Sequence, residues 1–348
     1  LIFTGDINLG TTTLPGGVPP DGGRGLLAAT ESLLAGDLVV GNFEGALADS
    51  GAPEKCDRME REAERRARKA GRRRTTADRA ALRCYAFATP TALAPRLPEA
   101  GFTHLNLANN HANDMGPEGL VRTARTFDSL GVAVYGPHGR VALDTLRRGD
   151  SLTVVGLVGF ATYPFAFDLL DLERTRAVVD SVRRLVDVLI VTFHGGAEGA
   201  AAAATPDSME YLGSEPRGDL RRWARVAIEA GADAVVGHGP HVLRGVEFHR
   251  GRPIAYSLGN FLTYRGFSLA PPLHLTAVLQ LRLAGDGTFL GGRVIPLVQR
   301  PRAGPAPDST GAALDFVRAR SAEDFPGTGA VFREDGSFRE RGPGNGER

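Results

Sequence analysis

The sequence predicts a layered α/β fold, and three observations lead to that prediction. Short apolar runs rich in Val, Ile and Leu recur along the chain, as is typical of strands buried on both faces. Stretches with apolar residues at helical spacing lie between several of these runs. Later runs contain turn signals such as Gly-Asp-Gly and indicate antiparallel hairpins. The strands are therefore expected to form one mixed sheet or two sheets.

Each element follows from its own pattern. The predicted strands are LIFTGD (1–6), DLVVGNFEG (37–45), FTHLNLANNH (102–111), SLTVVGLVGF (151–160), VDVLIVTFHGG (186–196), ADAVVGHGPH (232–241) and PIAYSLGNF (253–261). The predicted helices cover 25–37, 116–131, 171–187 and 218–231, and a shorter one covers 314–325. The hairpins are expected within 244–257 and 275–297.

Length and charge limit the classes of protein. The chain has 348 residues and a formal charge of +1, from 41 basic and 40 acidic side chains. This balance gives no general attraction to nucleic acid, and no nucleic-acid partner is expected. No apolar run has the length of a membrane span. The strongly basic segment 58–79 fits a solvated helix or a disordered loop better than a nucleic-acid arm.

The chain is expected to contain one main domain and an extension. Residues 1–300 form the main domain, with the basic segment 58–79 as an insertion. Residues 301–348 are rich in Pro and Gly and are expected to be partly disordered, above all over the last dozen residues. Because the first residues already form a strand, we expect a segment upstream of Leu1, such as an export signal or an anchor.

Polar side chains at the ends of the predicted strands form the candidate site. They are two carboxylates, one amide and three imidazoles: Asp6, Glu44, Asn110, His194, His238 and His241. Taken singly, Asp6 fits a turn cap, Asn110 a left-handed turn residue and His194 a buried core histidine. Because ligands bind beyond the carboxyl ends of strands in α/β sheets, the joint pattern favours a metal site. Oxygen and imidazole ligands without thiolate suit Mn, Fe or Zn.

The number of ligands suggests one or two divalent ions and hydrolytic chemistry. Six candidates exceed the three or four that one ion usually takes from a protein, and two ions can clamp a phosphoryl displacement. His111 lies beside Asn110 and could donate a proton to the leaving group. Asp114 could orient His111, or it could instead cap the helix that begins near Gly116.

Six segments together resemble a known family. They are GDINLG (5–10), GNFEGAL (41–47), NLANNHANDMG (106–116), HGGAEG (194–199), GADAVVGHGPHVLRGVE (231–247) and IAYSLGNF (254–261). The chain resembles the CapA family of poly-γ-glutamate capsule synthesis proteins, which is similar in fold to the calcineurin-like metallophosphoesterases. The resemblance implies an α/β fold of four layers, α/β/β/α, in which two mixed sheets are flanked by helices. It places the six metal positions above and matches His111 to a proton donor.

The resemblance also implies further site residues. The superfamily usually has a His two residues after its first Asp, where this chain has Asn8, which we assign to substrate binding. Glu198 belongs to the HGGAEG motif and either contacts substrate or pairs with an Arg. Arg217 and Arg244 could bind phosphate or carboxylate, or could form ordinary ion pairs.

Function and location follow as expectations with alternatives. The resemblance implies a metal-dependent hydrolase of a phosphoester or an anionic polymer, outside the cytoplasm and associated with membrane-bound capsule synthesis proteins. The first alternative is a non-catalytic component that binds the polymer, and the second is a cytoplasmic phosphodiesterase. Cys56 and Cys84 are either two free thiols or one disulfide. Relatives often show a similar pair, which favours the disulfide.

Overall fold

The computed structural model describes residues 1–76, 78 and 84–342. In chain order its strands are β1 (Ile2–Asn8), β2 (Val39–Phe43), β3 (Ala46–Leu47), β4 (Ala88–Thr89), β5 (His104–Asn106), β6 (Ala133–Tyr135), β7 (Ala142–Arg148), β8 (Ser151–Ala161), β9 (Phe167–Asp168), β10 (Val188–His194), β11 (Glu210–Leu212), β12 (Glu215–Gly218), β13 (Ala234–His238), β14 (Val246–His249), β15 (Arg252–Ala255), β16 (Asn260–Thr263), β17 (Leu275–Leu283), β18 (Phe289–Arg300), β19 (Gly304–Pro307), β20 (Val331–Phe332) and β21 (Ser337–Arg339). The helices are α1 (Glu54–Lys69), α2 (Arg96–Glu99), α3 (Gly116–Ser129), α4 (Leu172–Arg183), α5 (Leu220–Glu229) and α6 (Ala312–Asp324).

Two large mixed sheets form the centre of the fold. The first has the order β20-β21-β18-β17-β1-β2-β5-β6, with β16 beside β1 and β19 beside β18. Its β1, β2, β5 and β6 run parallel, whereas β17 and β18 are antiparallel. The second has the order β14-β15-β13-β10-β8-β7, with β9 beside β8. It is parallel at its centre and antiparallel at β7 and β14. The expected mixture of strand directions is confirmed.

Among the described residues the hydrophobic core has three large parts, which correspond to the contacts between four layers. The part between the two sheets contains Phe3 and Leu279 from the first sheet and Ile190 from the second. Phe127 of α3 packs on the outer face of the first sheet, and Trp223 of α5 packs on the outer face of the second. The predicted α/β/β/α sandwich is therefore confirmed, since each sheet buries one face against the other sheet and one against helices.

Two element predictions were wrong. Residues 25–37 form turns and a short 3-10 helix, Glu31–Leu33, instead of an α-helix. Gly25 has φ +79°, which interrupts the helix at its start, and the remaining stretch is too short to nucleate one alone. The run 253–261 divides between β15 of the second sheet and β16 of the first. Gly259, at φ +68°, lies directly before β16 and allows the chain to pass between sheets.

The segment after residue 300 is integrated into the fold. β19, β20 and β21 extend the first sheet, and α6 covers the predicted helix at 314–325. Leu314, Val317 and Phe338 enter the core between the sheets. The expectation of disorder over the last dozen residues was wrong for β21, because Phe338 is buried there. Residues 343–348 lie outside the described part of the chain.

The basic insertion begins as a helix and is linked by a disulfide. α1 covers its first part and carries basic side chains at its C-terminal end. Residues 77 and 79–83 lie outside the described part. Cys56 and Cys84 form a disulfide with a Cα–Cα distance of 5.6 Å, so the chain enters and leaves the insertion at one point. No helix among the described residues is long and apolar enough to cross a membrane.

One buried histidine gives the fold a predicted pH dependence. Burial lowers the pKa of His104, in β5, although Asp144 at 3.8 Å opposes this shift. The unfolded chain therefore binds a proton at this histidine more readily than the folded chain does. The contribution of neutral His104 to the free energy of unfolding is present above the unfolded pKa of about 6.5 and is lost as the pH falls below it. We expect His104→Asn to flatten the dependence of the unfolding free energy on pH between 5 and 7, by at most about 1.4 kcal/mol per pH unit. Urea unfolding of both proteins at several pH values measures this difference, and equal slopes would contradict the prediction.

Candidate metal centre

The candidate site lies where the carboxyl ends of strands from both sheets meet. Asp6 of β1 pairs with Asn42 of β2 in the first sheet. His194 and His238 end the neighbouring strands β10 and β13 of the second sheet and lie in register. Because directly opposite residues share a face of a sheet, the two imidazoles project side by side towards the first sheet. The sequence placed these residues at strand ends, and the structure adds that two sheets supply them.

Five of the six predicted metal ligands form one buried cluster. Asp6 Oδ2 lies 2.9 Å from His241 Nδ1, and Asp6 Oδ1 lies 3.4 Å from His238 Nδ1. Glu44 Oε1 lies 3.5 Å from His241 Nε2 and 3.8 Å from His194 Nε2. Ligand atoms of Asp6, Glu44 and His241 all lie within 4.8 Å of one another. This is a spacing at which one ion could contact all three residues.

The cluster leaves electron-pair donors without hydrogen-bond partners among the described residues. Four of its buried atoms have no such partner: the two carboxylate oxygens of Glu44, His194 Nε2 and His238 Nδ1. The amide oxygen of Asn110, the sixth predicted ligand, is in the same state. Burying such atoms unpaired costs about 1–3 kcal/mol each. These donors are carboxylate, amide oxygen and imidazole, which are ligands for a divalent ion such as Mn, Fe or Zn, so the residues present fit a metal.

The protonation of the cluster reflects its burial and its own charges. Burial raises the pKa of Glu44 well above its usual value. Burial would also raise the pKa of Asp6, but the adjacent imidazoles of His238 and His241 outweigh it and lower that pKa. Burial opposes protonation of His241, yet the charges of Glu44 and Asp6 raise its pKa to about 10. Burial and the nearby Arg217 lower the pKa of His194, which keeps this imidazole neutral, as a metal ligand must be.

A set of buried asparagines contacts and supports the cluster. The sequence did not predict this supporting role. Asn42 Nδ2 donates to Asp6 Oδ1 at 2.9 Å and lies 3.4 Å from His194 Nδ1. Asn42 Oδ1 accepts from Asn106 and Asn109, each at 3.1 Å. The GNFEGAL and NLANNHANDMG motifs contain all three asparagines, but only the contacts reveal that they orient the candidate ligands.

The backbone at His241 is held in an uncommon conformation. His241 has φ +58°, a left-handed value that costs energy in a residue with a side chain. Asn260 Nδ2 donates to the carbonyl of His241 at 3.2 Å and stabilises this turn. Asn260 also pairs with Asp6 across β1 and β16. The break between β15 and β16 thus places a support for His241 beside the first ligand.

His111 and Asp114 form a second group at the edge of the cluster. His111 Nδ1 lies 2.7 Å from Asp114 Oδ2, which also accepts from the Phe87 amide at 2.7 Å. Lys55 Nζ lies 3.1 Å from Asp114 Oδ1 and 3.3 Å from His111 Nδ1. Since an ionised carboxylate only accepts, the 2.7 Å contact favours an Nδ1–H of His111 that donates to Asp114. Asp114 makes no side-chain cap to α3, so the capping alternative was wrong.

Two phenylalanines form a wall over the site. The ring of Phe87 lies 4.3 Å from His111, and the ring of Phe267 lies 4.9 Å from His241. The two phenylalanine rings stack at 5.0 Å. They therefore shield the space between the candidate proton donor and the candidate metal ligand from water.

Arg217 and Glu198 form an ion pair beside the cluster. Arg217 NH2 is 3.1 Å from Glu198 Oε1, and Arg217 Nε donates to the carbonyl of Gly196 at 3.1 Å. Arg217 is fully buried, and its NH1 contacts Tyr163 and Glu215. The charge of Glu198 contributes to the raised pKa values of Glu44 and His241, which places it close to both. The ion-pair alternative for Glu198 is thus observed, and its contact with substrate stays a prediction.

Two residues assigned to substrate binding have structural contacts instead. Asn8 is fully buried, and its amide donates to the carbonyl of Glu44 at 2.8 Å and accepts from the Gly10 amide at 3.0 Å. Arg244 is also buried and forms a bidentate pair with Glu210 at 2.9 and 2.6 Å. Both side chains are occupied inside the protein. Asn8 positions the loop that carries Glu44, and Arg244 stabilises the loop that follows His241.

Comparison with known families shows to which family the chain belongs. Residues 1–265 match the family model described as bacterial capsule synthesis protein PGA_cap. The chain belongs to this family. The match contains every ligand candidate named above, and it confirms the resemblance stated from the six motifs.

The chain is also similar to curated relatives and to solved structures. The chain is 30% identical to "PGA biosynthesis protein CapA" of Bacillus subtilis over 55% of its length and 50% of that protein. It is 30% identical to "Capsule biosynthesis protein CapA" of Bacillus anthracis over 57% of its length and 48% of that protein. The chain therefore matches about half of these relatives' length. A 5'-nucleotidase precursor of Thermus thermophilus aligns over 92% of the chain and 57% of that chain, with 15% identity and a TM-score of 0.41.

Proposed function

We propose that this PGA_cap member is a metal-dependent hydrolase that acts on a phosphoester or an anionic polymer. One observation carries the proposal. Buried, unpartnered donors of Glu44, His194 and His238 lie in a cluster with Asp6 and His241, and these are residues that would hold one or two divalent ions. A purely structural cluster would satisfy its polar atoms internally, since native proteins rarely leave them unpaired.

The remaining residues suit hydrolysis. A divalent ion, when bound, would polarise a phosphoryl or carbonyl oxygen as a Lewis acid. Asp114 accepts from Nδ1–H of His111, so His111 would give a proton from Nε2 to a leaving oxygen as the imidazolium. Burial lowers the pKa of His111, and the charge of Asp114 opposes this shift in favour of the imidazolium. Lys55 neutralises Asp114 and fixes the carbonyl of Asn110 at 3.2 Å. Phe87 and Phe267 exclude water from this side, which strengthens these interactions.

The test is hydrolysis of a generic phosphodiester, bis(p-nitrophenyl) phosphate, by the metal-loaded protein. We expect His111→Asn to lower kcat about 10²–10⁴-fold, because it removes the proton donor. Bound metal should stay unchanged in this variant, since His111 is not among the predicted ligands. His249→Ala is the matched control, because His249 lies on the surface and pairs with Glu229. Equal activity of His111→Asn and wild type would contradict the proposed role of His111.

The alternative function is a non-catalytic component that binds a capsule polymer. Asn8 favours it, because the position is buried and structural where the phosphoesterase superfamily usually has a His. Full metal binding with no turnover of phosphodiester or glutamate polymer would support this alternative against the hydrolase.

Location and partners are part of the proposal. The disulfide between Cys56 and Cys84 suits an oxidising compartment, and the family description refers to bacterial capsule synthesis. We therefore place the protein outside the cytoplasm, together with membrane-bound proteins of capsule synthesis. Labelling of intact cells by a membrane-impermeant reagent tests the location, and labelling only after lysis would contradict it.

A further inference from the structure

The disulfide of the chain joins two segments that both contact the candidate proton donor. Cys56 directly follows Lys55 in the first turn of α1, and Cys84 lies three residues before Phe87. Lys55 Nζ lies 3.3 Å from His111 Nδ1, and the ring of Phe87 lies 4.3 Å from the ring of His111. The covalent link between the two segments is therefore close in sequence to both contacts.

Lys55 is fixed to the site by its backbone and by its side chain. Its N–H donates to the carbonyl of Asp114 at 3.1 Å, and Nζ lies 3.1 Å from Asp114 Oδ1. Nζ also donates to the carbonyl of Asn110 at 3.2 Å. Asp114 is fully buried, and among the described residues the cationic side chains within ion-pair distance of it are Lys55 and His111. Lys55 therefore holds in place the carboxylate that accepts from His111.

Phe87 fixes the other oxygen of the same carboxylate. Its N–H donates to Asp114 Oδ2 at 2.7 Å, the oxygen that also accepts from His111. The segment on one side of the disulfide thus contacts Oδ1 of Asp114, and the segment on the other side contacts Oδ2. The orientation of this carboxylate, and with it the orientation of the His111 ring, depends on both segments.

Helix α1 has few other contacts that hold it against the domain. All 16 of its residues are described, and Ala67 alone among them is buried. None of these described residues belongs to the three large parts of the core. Packing of an apolar face supplies most of the stability of a helix in a folded protein. The position of α1 therefore depends chiefly on the contacts of Lys55 and on the disulfide.

The disulfide is accessible to a reductant. Cys56 and Cys84 are half-buried and line a cleft of about 380 Å³ together with Phe87 and the exposed Tyr85. The sequence contains two cysteines, so no third thiol of this chain competes for either sulfur. Partly exposed disulfides are the ones that thiols reduce most readily, since the attacking thiolate must reach a sulfur atom.

We propose that the Cys56–Cys84 disulfide is a redox switch for the candidate site. In the oxidised form, the disulfide keeps Lys55 and Phe87 on the two oxygens of Asp114. A dithiol reduces it by thiolate exchange: two electrons and two protons pass from the dithiol, which becomes a disulfide, to Cys56 and Cys84, which become thiols. Loss of the link lets α1 move away, because the chain between the two cysteines is no longer closed into a loop.

The consequence for the site is a lower rate of hydrolysis in the reduced protein. Asp114 loses the cation on Oδ1, and the His111 ring loses its fixed orientation towards a leaving oxygen. The metal ligand candidates lie on other segments, so bound metal should not change. The effect on hydrolysis rests on the proposed function, whereas the release of α1 rests on the contacts alone.

The first experiment compares hydrogen–deuterium exchange in the oxidised protein and in protein reduced with dithiothreitol and desalted without oxygen. A titration that finds two thiols confirms the reduction. The amides of Lys55 and Phe87 should exchange at least about tenfold faster after reduction, because the segments that carry them open more often. Peptides from α4 and α5 should not change. Equal exchange at Lys55 and Phe87 in both forms would overturn the switch, as would faster exchange throughout the domain.

The second experiment measures hydrolysis of bis(p-nitrophenyl) phosphate by the metal-loaded protein in both forms. Reduction should lower kcat about 10–100-fold, the usual effect of losing an outer partner of a site residue. KM should stay within about twofold, because the contact acts on the proton donor and not on bound substrate. Reoxidation should restore kcat. Cys56→Ser/Cys84→Ser should match the reduced wild type and should not respond to dithiothreitol, which excludes an effect of the reductant on the metal.

Variants at the two lysines of the chain test whether the switch acts through Lys55. Lys55→Met should lower kcat of the oxidised protein, and reduction should then lower it by less than about threefold more, since a contact that is absent cannot be lost. Lys55→Arg should recover part of kcat. Lys69→Met is the matched control, because Lys69 is exposed at the other end of α1, and it should behave as wild type.

Equal effects of reduction in Lys55→Met and in wild type would contradict the role of Lys55 in the switch. An oxidised wild type that binds metal but hydrolyses nothing would count against the hydrolase proposal. Hydrogen–deuterium exchange would then decide the switch by itself, because it needs no activity.

Discussion

Replacing both His238 and His241 by Ala should abolish metal binding. These residues flank a Gly-Pro turn, and both contact Asp6 through Nδ1. The change removes two imidazoles while Asp6, Glu44 and His194 remain. Binding of Mn, Fe or Zn should weaken at least about 100-fold, since even the outer partners of ligands contribute 10–100-fold. Elemental analysis of untagged protein should give one to two equivalents in the wild type and close to none in the variant.

The control is a pair of histidines outside the cluster. His138→Asn/His249→Ala removes the same number of imidazoles, and Asn tolerates the left-handed backbone of His138, at φ +52°. Metal content should equal that of the wild type. A wild type that holds no metal and takes up none on addition would remove the basis of the hydrolase proposal and favour the polymer-binding alternative.

Metal uptake should also depend on pH in a definite direction. The pKa of His241 is raised to about 10, chiefly by the charges of Glu44 and Asp6 against the effect of burial. A proton therefore occupies His241 at neutral pH when no cation is bound, and an incoming ion must displace it. Affinity should rise with pH from 6 to 9, and calorimetry in buffers of different ionisation enthalpy should detect proton release. Uptake that is independent of pH would argue that His241 is not a ligand.

The sequence predicted which side chains cluster better than it predicted the residues that support them. Asp6, Glu44, His194, His238 and His241 were accessible because each ends or follows an apolar run, and parallel strands bring their ends together. Asn42 and Asn260 lie inside similar runs, but their roles depend on register between strands distant in sequence. No local pattern encodes such a pairing, so these supports could not be predicted.

The contacts of the arginines were harder to predict from the sequence. For Arg217 and Arg244 the sequence left substrate binding and ion pairing open, because composition cannot tell whether a guanidinium group reaches a ligand or a buried carboxylate. Folding places Arg244 against Glu210, 34 residues earlier, and Arg217 beside the cluster. The family resemblance predicted the order of the layers. It did not predict that the segment after residue 300 joins the first sheet, which depends on the burial of Phe338 in the core between the sheets.

Arg244→Met should destabilise the protein by about 3–5 kcal/mol, because it leaves the buried Glu210 carboxylate without its cation. Arg244 binds both oxygens of Glu210 and also donates to the carbonyl of Ala202 at 2.8 Å. Met fills a similar volume, so the loss reflects charge rather than a cavity. Urea unfolding followed by circular dichroism measures the change in unfolding free energy.

Two further variants separate the ion pair from other effects of Arg244→Met. Arg244→Met/Glu210→Gln leaves no charge of this pair buried. In the wild type the backbone N–H of Ala197 donates to Glu210 Oε2 at 3.0 Å, and the side-chain oxygen of Gln can still accept this bond. Much of the lost unfolding free energy should therefore return. Arg184→Met breaks the exposed pair with Asp180 and should cost only about 0–1 kcal/mol. If Arg244→Met and Arg184→Met cost the same, Arg244 is not a structural anchor of the loop after His241. Its assignment to substrate would then have to be reconsidered, because a buried guanidinium without a structural role needs another partner.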